Sequence, residues 1–74
     1  MELKYAYKVY DMLSAVDKYS HQIDEVNRVK RIIVEANNEL DSPLHLGDYI
    51  KECKDRVQDL DNKIQAIFAD IEKL

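Results

Sequence analysis

His21, His45 and Cys53 are the soft metal ligands of this sequence. His21 stands four residues before Glu25. On a helix the two would share a face, a spacing that can hold a metal and that also arises by chance in charged helices. His45 and Cys53 add no closed ligand set, so no metal or other cofactor is expected. The run Arg28-Val29-Lys30-Arg31 could neutralise a phosphate. On a helix, however, four consecutive residues fan over more than half the circumference and form no single pocket. Lys8, Arg28 and Arg31 could hold an anion such as a nucleotide only where several copies converge. The segment Lys4-Tyr5-Ala6-Tyr7-Lys8-Val9-Tyr10 has the most unusual composition. Tyrosine rings bury area at interfaces while the hydroxyl stays wet, and the same mixture could stack a base beside a phosphate. Protein contact is the better reading, because the chain is acidic overall with a net charge of -4. There is no glycine-rich phosphate loop, zinc-protease helix motif or activated nucleophile. The chain is therefore read as no enzyme, with no catalytic residue.

Two long elements must carry these residues. From Leu46 the apolar positions run Ile50, Cys53, Val57, Leu60, Ile64, Ile67, Ile71 and Leu74, at steps alternating 4 and 3. That is a heptad seam, the mark of a straight helix that packs on another helix. The first half repeats the pattern at Tyr5, Val9, Met12, Val16, Tyr19, Ile23, Val26, Lys30, Ile33, Asn37 and Leu40. Lys30 and Asn37 are the polar members, and a polar residue in a seam can set register or partner choice. Asn37 could also begin a helix cap, and Lys30 could lead its ammonium to solvent or to Asp59.

Between them lie the only proline and the only glycine, Pro43 and Gly47. Ser42-Pro43 reads as a helix start, with Ser as N-cap; alternatively the second helix starts near Asp48. The expectation is one all-α domain, an antiparallel hairpin with helices at about 3–39 and 46–73 and a turn at about 40–45.

If Leu40 lies near Leu46, facing residue numbers sum to about 86. Ile33 would then meet Cys53, Val26 would meet Leu60, and Tyr19 would meet Ile67. Arg31 would fall beside Asp55 and Arg28 near Asp59, while Tyr5 and Val9 would overhang. Two helices on one seam leave much apolar surface, which monomers rarely tolerate. The hairpin is therefore expected to complete a bundle with a second copy or another helical protein. Tyr5, Tyr7, Tyr10, Leu13 and Phe68 are the expected contact residues. The function read from this is a small adaptor, targeting factor or inhibitor.

At 74 residues with a lone cysteine, the chain has no internal disulfide, which suits a reducing compartment. Charges at Glu2, Lys4 and Lys8 leave no signal-peptide core, and no apolar run reaches the about 18 residues of a membrane span. A cytoplasmic place, with no membrane or nucleic-acid partner, follows as an expectation. His45-Leu46-Gly47 at the turn and Phe68-Ala-Asp-Ile-Glu72 resemble the small helical hairpins of type VII secretion. Pro43-Leu-His-Leu46-Gly-Asp-Tyr49 is similar to the turn of type III secretion needle subunits. Tyr19 to Leu40, with Asn27 and Lys30, resembles phage hairpins that sequester cyclic nucleotides. These resemblances imply a secretion-system hairpin or an oligomeric nucleotide sponge as alternatives, and no site residue is carried over from them.

Overall fold

The 36 residues from Leu3 to Asn38 contain no glycine or proline, so nothing interrupts the backbone ladder. In the computed structural model, which describes residues 3–74, they form one helix, α1 (Leu3–Asn38). Its first turn holds no acidic residue and its last turn no basic one, so the helix dipole gains little help at either end. Its stability has to come from the apolar seam. A second helix, α2 (Gly47–Glu72), runs back along it. Both helices fall within one or two residues of the expected bounds. The charge at Glu2 lies outside the described residues.

Ser42 does not start α2. The cap residue is Leu46, which supplies no side-chain hydrogen bond, and residues 43–46 are irregular. The cause is Asn37. Its side-chain carbonyl accepts from the Leu44 N–H at 2.9 Å, and its amide donates to the Leu44 carbonyl at 3.0 Å. A helix beginning at Pro43 would turn that carbonyl along the helix axis toward Asp48 instead. In α2 the acidic Asp48 in the first turn meets the positive end of the dipole. Gly47 opens the helix with no positive φ, and a Cβ there would meet nothing within 4 Å. Gly47→Ala is expected to stabilise the fold by about 0.4–1 kcal/mol, chiefly by restricting the unfolded chain. A thermal melt showing no rise in Tm would contradict this.

The same clamp corrects the register. It draws Leu44 back beside α1 before α2 begins, so α2 starts further down α1 than a tight turn would allow. Cys53 shares a groove with Val26 and Val29 rather than with Ile33, and Ile33 lies with Leu44 and Leu46 instead. Lys63 reaches the Tyr19 ring, 5.7 Å from its centre, where the seam pairing would put Ile67. The shift is about one helical turn toward the N-terminus of α1. The expected ion pairs across the seam fall with it. Arg28 takes Glu25, one turn back on its own helix, and Asp59 takes Lys63 at 3.5 Å. Arg31 has no ion pair among the described residues.

The result is a rod of 62 × 15 × 9 Å with a radius of gyration of 17.6 Å. A compact domain of this length would have a radius near 11 Å. Among the described residues only Cys53, Leu60 and Ile64 are buried, all on α2. On α1 the seam residues Val9, Met12, Val16, Tyr19, Ile23, Val26, Lys30 and Asn37 are half-buried, while Tyr5 and Ile33 are exposed. Tyr5 lies beyond the stretch that α2 covers. Leu40, past the end of α1, is exposed in the turn.

Candidate interaction surfaces

The first surface is the open end of the rod. There α1 runs on past the last turn of α2, so Tyr5 and Tyr7 have no second helix to pack on. Tyr7 is 66% exposed, and Tyr10, level with the last turn of α2, is 69% exposed. Lys4 sits over the Tyr5 ring, 5.1 Å from its centre, a cation–π contact worth little at an exposed site. Leu13 and Phe68 are also exposed, and the shifted register brings them level with each other. Four of the five expected contact residues thus lie on the first three turns of α1, and the fifth lies across from them on α2.

The basic residues do not assemble in one chain. Lys8 and Arg28 are twenty positions apart on one straight helix, about 30 Å along its axis. Arg28 donates from Nε to Glu25 at 3.2 Å and also pairs through its terminal nitrogen. That hydrogen bond, and then the charge, hold the Glu25 carboxyl below its ordinary pKa and raise that of Arg28. Lys30 is half-buried and, like Arg31, makes no ion pair among the described residues. His21 faces Asp17, 3.5 Å away, rather than Glu25. Among the described residues no three His, Cys, Asp or Glu side chains are grouped to hold a metal ion. Among the same residues no helix is long and apolar enough to cross a membrane.

The second surface was not anticipated as a site. One flank of the hairpin carries a groove of about 320 Å³ between Val26 and Val29 of α1 and Tyr49 and Cys53 of α2, rimmed by Glu25, Glu52 and Arg56. Loss of water raises the Tyr49 pKa, and the neighbouring Cys53 thiol adds to the effect. Toward the turn a second hollow of about 260 Å³ is lined by Ile33, Ala36, Asn37, Leu40, Leu44 and Leu46. The two are stretches of one stripe on α1, with Val26, Val29, Ile33 and Ala36 at steps 3, 4 and 3, continued into the turn by Leu40. It extends back through Tyr19 to Ala15 in the same rhythm, with Gln22 its polar member. That spacing was the signal in the sequence, hidden because the stripe shares Tyr19, Val26, Ile33 and Leu40 with the seam.

No protein-family model, curated protein or solved structure matches this chain.

Proposed function

We propose that this hairpin is a non-enzymatic protein-interaction module, a small adaptor, targeting factor or inhibitor that works through its exposed helical faces. The observation that carries this reading is the imbalance of the apolar surface. Among the described residues three side chains are buried, while ten large apolar ones, including Tyr7, Tyr10, Leu13 and Phe68, remain exposed. Exposed apolar surface clustered on helices is the usual mark of a helix-binding face. The tyrosine end suits such contact, since its rings lose little conformational entropy when they are covered.

Tyr7→Ala is expected to leave the far-ultraviolet circular dichroism spectrum unchanged and to weaken capture of the partner, in quantitative pull-down from native extract, by about tenfold or more. That corresponds to the loss of one interface hot spot of about 1.4–2 kcal/mol. Equal capture by Tyr7→Ala and Tyr10→Ala would place binding elsewhere. Loss of helicity in Tyr7→Ala would mean the ring is core. The anion-binding alternative depends on copies bringing Lys8, Arg28 and Arg31 together. A nucleotide-induced rise in Tm that disappears in Arg28→Ala would put it ahead.

A further inference from the structure

We infer that the flank groove is the self-association face of this chain. A second copy packs on it about a twofold axis perpendicular to the rod, and the two hairpins complete a four-helix bundle. The inference rests on the reading of the chain as an interaction module, but it concerns a different face from the tyrosine end.

The first argument is the width of the apolar face on α1. A helix touching one neighbour needs a single seam. Here α1 has that seam and, widening it along one side, a stripe that shares Tyr19, Val26 and Ile33 with the seam and adds Ala15, Val29 and Ala36. Two adjacent stripes are the pattern of a bundle helix packed between two neighbours. Within α1 the stripe runs from Ala15 to Ala36, about 32 Å. A copy turned end for end lays its own stripe along this one over that length, with Val26 nearest the axis.

The second argument is area. The chain exposes 6023 Å². A folded monomer of 8.7 kDa is expected to expose about 4,700 Å². The excess of about 1,300 Å² is more than the about 800 Å² that each partner gives up in a standard interface. The third is charge. The rim carries Glu25 and Glu52 together with Arg56. A rim of both signs meets its own image without a net opposing field, and it offers a strongly acidic or basic partner nothing to prefer.

Light scattering on the purified chain tests this. The wild type at tens of micromolar is expected at twice 8.7 kDa. Ala36→Glu and Val29→Glu should each halve that mass, with the circular dichroism of a hairpin retained. Ala36 is exposed in the hairpin, so its substitution separates lost association from lost folding even where Val29→Glu unfolds. Tyr7→Ala should stay dimeric. A mass of one chain at every concentration overturns the inference, as does a mass above two. So does a dimer that survives Ala36→Glu but not Tyr7→Ala. If the dimer is missing while Tyr7-dependent capture persists, this inference falls and the interaction reading stands. A dimer without such capture has the opposite meaning.

Discussion

Leu60→Asp is expected to unfold the protein. Leu60 is the most buried side chain, 5% exposed, at the middle of α2. Its replacement removes a packed isobutyl group, worth about 2–5 kcal/mol when truncated to alanine in a core. It also sets a carboxylate where no cation is buried to meet it. A core with three buried side chains among the described residues has only a few kcal/mol in reserve. Circular dichroism at 222 nm should fall toward the coil value at 25 °C, and Leu60→Ala should show the packing loss alone as a lower Tm. A folded Leu60→Asp chain of unchanged Tm would mean that the seam does not hold the hairpin together.

Asn37→Ala should cost about 1–2 kcal/mol, or about tenfold in the ratio of folded to unfolded chain. Both hydrogen bonds to the Leu44 peptide are lost, at about 1 kcal/mol each. The site is half-exposed and water replaces part of the loss. Asn37→Asp is the sharper control. It keeps an acceptor for the Leu44 N–H but turns a second oxygen toward the Leu44 carbonyl. It should therefore be about as damaging as alanine at pH 7. Amide exchange at Leu44 reports the clamp itself and should speed up in both variants, while the Leu60 amide keeps its rank as one of the slowest. Unchanged exchange at Leu44 would mean the turn is held by something other than this amide.

Asn37 also marks the limit of what the one-dimensional pattern could reveal. Its place among apolar residues at heptad spacing marked it as a residue that could set register or begin a cap. Its hydrogen bonds go to the backbone of Leu44, seven residues on, rather than to a facing side chain of the other helix. A sequence shows that a polar group stands in a seam, and it does not show which unpaired peptide is in reach. The one-turn error in register has the same origin. The expected register sets Leu40 level with Leu46, whereas the connection folds back along α1 before α2 starts. Arg28 and Glu25 illustrate the reverse. An i,i+3 pair on one helix needs no knowledge of the partner helix, and local geometry outweighed the cross-seam pairing drawn from the wrong register.

Periodicity alone settled that the chain is two helices folded back around its single proline, because a repeat of three and four residues can bury its apolar members only as helix against helix. It also settled which side chains form the contact on α2, since Cys53, Leu60 and Ile64 all belong to that repeat. Only the folded chain decided how far one helix slides along the other. That depends on a hydrogen-bonded turn, a property of the packed pair that no spacing along one helix encodes.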